Sequence, residues 1–151
     1  MSADAADPAV GLDPIVRLRV LAAALPGSTL VSRELGAPFA AVWTVVEDLE
    51  RFSPLYEPAV AEAMVELHAG RRVLHLTYTD GWREECIVRL APGWCLMQSP
   101  SVVVAFAARP TARGTLLAHL EHWRRPGRTS FPAAKLEGEL LTIEHLARSL
   151  D

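Results

Sequence analysis

Apolar and polar positions alternate in short runs through the middle of the chain, between Val60 and Arg124. The turn sequences HAG, DG, APG, SP and PTARG divide this region. Alternation broken by glycine- and proline-containing turns predicts β-strands that pair with their sequence neighbours. We expect six antiparallel strands, at residues 60–68, 71–79, 82–90, 94–99, 101–109 and 115–124.

Helical periodicity precedes the strand region. After Asp13, which is suited to cap a helix, apolar residues follow one stripe until Pro26-Gly27. A strand over 28–35 is predicted next. A second helix then contains VWTVVEDLERF and is predicted to end near Phe52, because the prolines of SPLYEP favour a bend.

The C-terminal segment predicts one long helix, from about Pro132 to Leu150. Its apolar seam comprises Leu136, Leu140, Ile143, Ala147 and Leu150. Lys135 with Glu139, and Glu144 with Arg148, are predicted to form outward pairs one helical turn apart. This order of elements favours an α+β fold in which a curved antiparallel sheet of about seven strands wraps around the last helix, leaving an internal cavity.

Length and charge limit the class of protein. The 151 residues suit one domain that holds both a core and a cavity. We expect an N-terminal extension with a short helix at 1–27, of which the first dozen residues are loosely attached, and a domain at 28–151. The net charge of -3, without a basic stripe, argues against a nucleic-acid partner.

The sequence also predicts a cytoplasmic location without a membrane partner. No apolar run approaches the roughly 18–20 residues of a membrane span. The N-terminus carries aspartates where a secretory signal carries basic residues. The two cysteines, Cys86 and Cys95, are expected to be reduced and buried.

The second helix resembles that of a known family. In GAPFAAVWTVVEDLERFSPLYEP, Ala-Pro precedes a helix with Val42-Trp43 at its centre, followed by Asp48, Phe52 and Pro54. This arrangement is similar to the START-like superfamily (SRPBCC, Bet v 1-like), including the bacterial polyketide cyclases and aromatases. The resemblance covers about residues 28–150 and implies a helix-grip fold. Because the family contains enzymes, binders and chaperone-associated modules, it does not determine a function.

The pairing of the hairpin TYTDGWREECIVRL decides which side chains face the cavity. Asp80-Gly81 favours a two-residue turn with Thr79 opposite Trp82. One face then carries Leu74, Leu76, Tyr78, Arg83, Glu85, Ile87 and Arg89. The other carries Val73, His75, Thr77, Thr79, Trp82, Glu84, Cys86, Val88 and Leu90. Hydrophobicity mildly favours burial of the second face, whereas the resemblance to aromatase/cyclases implies that Glu85, Ile87 and Arg89 point inward.

The last hairpin is treated in the same way. If TARG forms its loop, Pro110 lies opposite Thr115. One face then carries Val102, Val104, Phe106, Ala108, Leu117, His119, Glu121 and Trp123. The resemblance implies that this face points inward. An apolar pocket with a few polar groups is typical of a small-molecule site.

Four residues are candidate catalytic groups. Arg89, paired with Glu85, is placed to orient a carbonyl or enolate. His119 beside Glu121 is suited to general acid–base chemistry near neutral pH. These groups fit the aldol cyclisation or dehydration of a polyketone; a satisfied ion pair and a hydrogen-bonded histidine without chemistry are the alternative. Candidate ligand-binding residues are Phe52, Tyr56, Tyr78, Ile87, Phe106, Trp123, Leu136 and Leu140.

No metal or cofactor is expected. His119 and His122 lie three apart, which on a strand sends them to opposite faces. The sequence has no phosphate-binding glycine loop and no serine elbow. We therefore expect a cofactor-independent cyclase or dehydratase acting on a hydrophobic small molecule or polyketide intermediate. The alternatives are a non-catalytic carrier, or a protein-interaction module whose N-terminal helix supports a homodimer.

Overall fold

The computed structural model describes residues 12–150 and has the expected α+β architecture. The prediction for the first dozen residues falls almost entirely outside the described residues. The helices are α1 (Pro14–Ala23), α2 (Phe39–Glu47), α3 (Leu49–Tyr56) and α4 (Ala133–Arg148). The strands are β1 (Thr29–Leu35), β2 (Val60–His68), β3 (Arg71–Tyr78), β4 (Arg83–Ala91), β5 (Trp94–Gln98), β6 (Val102–Thr111) and β7 (Gly114–Trp123).

One curved sheet contains all seven strands, in the order β1-β7-β6-β5-β4-β3-β2, and every neighbouring pair is antiparallel. The predicted meander from β2 to β7 is confirmed. Strand β1 pairs with β7 and forms one edge of the sheet. The helices α2, α3 and α4 contact one another and pack on the concave face. Among the described residues, no helix is long and apolar enough to cross a membrane.

The second predicted helix is in fact two helices, and its predicted end was wrong. The helical path breaks at Asp48, whose carboxylate accepts a hydrogen bond from the Arg51 amide at 3.4 Å and so caps α3. Helix α3 then continues through Pro54 to Tyr56. Proline lacks an amide donor, but near the end of a short helix this removes little of the backbone hydrogen bonding.

Helices pack on both faces of the sheet, although much of the convex face of β2 and β4 is exposed. On the convex face, Ile15 and Leu18 of α1 pack with Trp94, Val103 and Leu120. Asp13 caps α1, accepting from the Ile15 amide at 2.8 Å as predicted. On the concave face, residues of β3 to β7 pack with α2, α3 and α4 around Phe106, and this is the larger core.

The register of the β6–β7 hairpin is as predicted. Pro110 lies opposite Thr115, and Phe106 lies opposite His119. The face that carries His119 and Glu121 therefore points toward α4, and both side chains are buried.

The register of the β3–β4 hairpin was wrong by one residue. The amide of Tyr78 donates to the carbonyl of Trp82, so the loop has three residues and ends at Gly81 with φ of 89°. Leu74 consequently lies opposite Cys86. A shift of one residue exchanges the faces of β4 relative to β3.

Candidate functional site

A cavity of about 420 Å³ lies between the concave face of the sheet and helices α3 and α4. This volume is within the range of about 300–1,000 Å³ that small-molecule pockets occupy. Its apolar wall comprises Tyr56, Leu74, Met97, Val102, Val104, Phe106, Trp123 and Phe131. Its open end is formed by exposed residues of two loops, namely Asp80, Trp82, Arg125 and Arg128.

The cavity contains some of the candidate residues that the sequence indicated. It is lined by Tyr56, Tyr78, Phe106, His119, Glu121 and Trp123. Phe52, Leu136 and Leu140 do not line it; they are buried in the core beside it. Phe52 lies under the Arg51 guanidinium, 4.7 Å from its ring centre, and is covered from both sides.

The prediction that Glu85, Ile87 and Arg89 face the cavity was wrong. All three side chains are exposed on the outer face, because the three-residue loop exchanges the faces of β4. Glu85 contacts His75 there, at 3.5 Å. In their place Glu84, Cys86 and Val88 point inward, which is the alternative that hydrophobicity favoured.

His119 lies at the centre of a buried group of charged residues. Its ring is fully buried and stacks on Phe106, with 4.0 Å between ring centres. Its Nδ1 lies 3.1 Å from the Ala105 carbonyl oxygen, which only accepts, so Nδ1 carries a proton. Its Nε2 lies 3.3 Å from Glu121 and 3.4 Å from Glu139, without a well-directed hydrogen bond to either.

Lys135 completes this group. Its Nζ donates to Glu121 at 2.9 and 3.0 Å, to Glu139 at 3.3 Å and to Glu57 at 2.5 Å. Three carboxylates from β7, α4 and the end of α3 thus surround one ammonium group. We call His119, Glu121, Lys135, Glu139 and Glu57 the charged cluster.

Folding shifts the pKa values of the charged cluster in different directions, raising those of His119 and Glu139 and lowering that of Glu121. Burial would lower the pKa of His119, but Glu121 and Glu139 outweigh it and raise that pKa to about 9. Burial would raise the pKa of Glu121, but His119 and Lys135 hold it below its ordinary value. Burial raises the pKa of Glu139 to about 7, although His119 opposes the shift. Glu139 is therefore the member of the cluster that changes protonation near neutral pH.

Three members of the cluster also form a donor set for a metal ion. Nε2 of His119 and one carboxylate oxygen each of Glu121 and Glu139 lie within 4.8 Å of one another. However, the Lys135 ammonium already lies against both carboxylates and supplies the positive charge that an ion would bring. His122 lies three residues after His119 on β7, so it is on the opposite face of the strand and is not part of this donor set.

Sequence reasoning did not propose several polar residues of the cavity as site residues, and those that matter most for its chemistry are Glu57, Glu84, Lys135 and Glu139. Lys135 and Glu139 were expected to form an outward pair; they do pair, at 3.3 Å, but the predicted outward direction was wrong, because Glu139 is buried and both residues line the cavity. A signal existed, since Glu139 lies three residues after Leu136 and four before Ile143, inside the apolar seam. Glu84 likewise shares its face with Cys86 and Val88.

A second hollow, of about 890 Å³, lies beside α3 and the β2–β4 part of the sheet. Although it is larger, many of its lining side chains are exposed, including Glu62, Met64, Arg83 and Glu85. It lacks the enclosed apolar wall that a small-molecule site requires. The 420 Å³ cavity is therefore the better candidate site.

Comparison with known proteins shows the fold. No family model matches the sequence, and no curated protein matches it significantly. An AHSA1-like protein from Aeromonas hydrophila superposes with a TM-score of 0.59 at 18% identity, covering 81% of this chain and 92% of its own. A protein from Mesorhizobium loti gives a TM-score of 0.60 at 17% identity, covering 82% of this chain and 98% of its own.

The di-domain aromatase/cyclase StfQ of the steffimycin biosynthetic pathway is also similar. Its TM-score is 0.59 at 13% identity, and the match covers 87% of this chain and 54% of StfQ. The protein shares the helix-grip fold with these structures, as the sequence predicted. At these identities the likeness concerns the fold, so function has to be argued from the cavity.

Proposed function

We propose that the protein binds a hydrophobic ketone in the cavity and promotes its cyclisation or dehydration by general acid–base chemistry. The observation that carries this proposal is an apolar cavity with the charged cluster in its wall, including one carboxyl group, Glu139, whose pKa is raised to about 7. A catalytic acid or base works best when its pKa lies near the working pH.

The cluster supplies the parts of such a reaction. Glu139, as a carboxylate, takes a proton from the carbon beside a ketone. The positive charges of Lys135 and His119 favour the enolate that forms. The enolate carbon then bonds to a second carbonyl carbon, and the protonated Glu139 returns its proton to the alkoxide that forms, which gives the aldol product. In dehydration, Glu139 removes the remaining proton from the same carbon and passes it to the hydroxyl group, which leaves as water as the carbon–carbon double bond forms.

A non-catalytic binder with the same ligand is the second candidate. It is favoured by the contacts of Lys135, whose ammonium group is already shared among three carboxylates. It is also favoured by the full burial of His119 against Phe106. In this case the cluster would orient the ligand and stabilise the fold without exchanging protons with it.

Deuterium exchange into an acetylnaphthalene separates the two candidates. The methyl protons beside its carbonyl are those that a general base would remove, so mass spectrometry in heavy water reports the proton transfer directly. We expect the protein to bind this ketone and accelerate exchange, and Glu139→Gln to bind it without acceleration. Binding without exchange in the unmodified protein would support the binder.

The matched control is Glu137→Gln, an exposed position on the same helix. Its exchange rate is expected to equal that of the unmodified protein. Absence of binding by acetylnaphthalene and by the longer acetylbiphenyl would contradict the proposed function itself. Native mass spectrometry of protein purified from its host would independently show what occupies the cavity.

A further inference from the structure

A second polar site lies in the wall of the cavity, on strands other than β7, which carries His119 and Glu121 of the charged cluster. Glu84 of β4 and Tyr78 of β3 line the cavity there, and Ser99, which follows β5, lies behind Glu84 and contacts it. Strands β5 and β6 separate β4 from β7 in the sheet. At about 4.8 Å between neighbouring strands, β4 and β7 are roughly 14 Å apart along the curved sheet.

The hydrogen bonds of this site have a determined direction. The Ser99 hydroxyl oxygen accepts from the amides of Ser101 and Val102, both at 3.1 Å. Its proton is therefore free to donate to Glu84, at 2.6 Å. The Tyr78 hydroxyl donates to the other oxygen of Glu84, at 2.9 Å. The two hydrogen bonds thus fix the Glu84 side chain in place, with its carboxylate group in the wall of the cavity.

The Glu84 carboxylate can accept further hydrogen bonds. A carboxylate has about four acceptor positions, and the two hydroxyl donors fill half of them. Its side chain is buried, with the residue 9% exposed. Within residues 12–150, no lysine, arginine or histidine forms an ion pair with it, in contrast to the carboxylates of the charged cluster. Both of its oxygens already accept one hydrogen bond, and a further donor from a ligand would stabilise this buried carboxylate.

We propose that Glu84 is a specificity-determining residue that receives a hydroxyl or amino group of the ligand, at the end opposite to the ketone held by the charged cluster. The inference rests on the proposed function, because it assumes that the cavity binds a ketone. It narrows the ligand class to hydrophobic ring compounds with a carbonyl at one end and a hydrogen-bond donor at the other. Tyr78 and Ser99 position Glu84.

Two series of ketones test this inference by isothermal titration calorimetry. Each series, one built on acetylnaphthalene and one on acetylbiphenyl, comprises the parent ketone, a derivative with a hydroxyl group at the far end, and the methyl ether of that derivative. The two ring systems differ in length, so one of them can place its hydroxyl group at Glu84. In at least one series we expect the hydroxyl compound to bind roughly tenfold more tightly than its methyl ether, the advantage of one hydrogen bond to a charged group.

The Glu84→Gln variant should reduce this advantage to about threefold or less, because a neutral acceptor forms a weaker hydrogen bond. The affinity of the parent ketones should change little. Glu85→Gln is the matched control, since Glu85 is the next residue on β4 and lies on the outer face; it should keep the full advantage. If Glu84→Gln does not fold, the comparison of hydroxyl compound and ether in the unmodified protein decides alone.

The outcomes separate this inference from the function on which it rests. If the parent ketones bind but the hydroxyl group adds nothing in either series, the role of Glu84 is wrong and the cavity remains a ketone site. An equal advantage in Glu84→Gln and in the unmodified protein would also overturn that role. If none of the six compounds binds, the proposed function fails with it.

Discussion

The hairpins β3–β4 and β6–β7 both carry ionisable side chains on their second strands, but they place them on opposite sides of the sheet. On β7, His119 and Glu121 are buried and meet Lys135 and Glu139 of α4. On β4, Arg83, Glu85 and Arg89 are exposed, and the inward face is mostly apolar.

The difference is explained by the elements that face each hairpin. Helix α4 brings an ammonium group and a carboxylate to β7, so charges there find partners of opposite sign at 2.9 to 3.4 Å. Glu84, the buried carboxylate of β4, accepts from the hydroxyl groups of Tyr78 and Ser99, and among residues 12–150 no cation pairs with it. Burial of a charge is tolerated where another element supplies its partners, and it is otherwise avoided.

The largest difference in stability is expected between substitutions of one histidine in each hairpin, His119 on β7 and His75 on β3. His119→Ala should lower the free energy of unfolding by about 3–5 kcal/mol, because it removes one of the two cations that face the buried carboxylates of Glu121 and Glu139 and opens a cavity against Phe106. His75→Ala, on the outer face, should change it by less than about 0.5 kcal/mol, since its contacts with Glu66 and Glu85 are partly in solvent. Urea denaturation measures both; equal losses would contradict the comparison.

The pH dependence of stability provides the next test. The pKa of His119 is raised from 6.5 to about 9 on folding, so its contribution is complete below pH 6.5 and is lost as the pH rises through 9. Glu139, raised from 4.5 to about 7, acts in the same direction at lower pH. Together, His119 and Glu139 should make the free energy of unfolding fall by about 4 kcal/mol between pH 6 and pH 9.

The control for that experiment is His119→Ala, in which most of the fall above pH 7 should disappear. His75→Ala should retain it. A flat profile in the unmodified protein would show that the charged cluster does not hold its protons as its geometry indicates.

The turns of the two hairpins should differ in their tolerance of a side chain. Gly114 precedes the first inward residue of β7 and has φ of 153°; a Cβ there would lie 2.2 Å from the Leu35 carbonyl oxygen. Gly114→Ala should therefore cost roughly 2–3 kcal/mol. Gly81 has φ of 89°, but a Cβ there meets no described atom within 4 Å. Gly81→Ala should cost only the backbone strain, about 1 kcal/mol.

Thermal unfolding of both glycine variants measures this difference. Similar losses would mean that the β6–β7 turn does not approach β1 as closely as described. A negligible loss for Gly81→Ala would contradict the three-residue loop, which requires positive φ at that residue.

The smallest effects are expected on the outer face of β4. Glu85→Ala and Arg89→Ala should each change the free energy of unfolding by less than about 0.5 kcal/mol, because both side chains are exposed. Neither should change ketone affinity in the calorimetric experiment. A large loss of affinity in either variant would show that this face does line the cavity.

The sequence by itself determined most of the fold. The alternation from Val60 to Arg124, the apolar seam of α4 and the cap at Asp13 are local patterns, and each predicted its element to within a few residues. The β6–β7 register was also predictable, because a loop of two residues and one of four give the same pairing of Pro110 with Thr115. His119 and Glu121 followed from that register.

Tertiary structure alone decided the rest of the site. Asp80-Gly81 is compatible with loops of two or three residues, and that one-residue difference exchanges Glu85, Ile87 and Arg89 for Glu84, Cys86 and Val88. The charged cluster joins residues up to 82 positions apart in the chain, from Glu57 to Glu139. Whether a charge such as Glu139 lies in solvent or in a cavity depends on partners that only the folded chain brings to it.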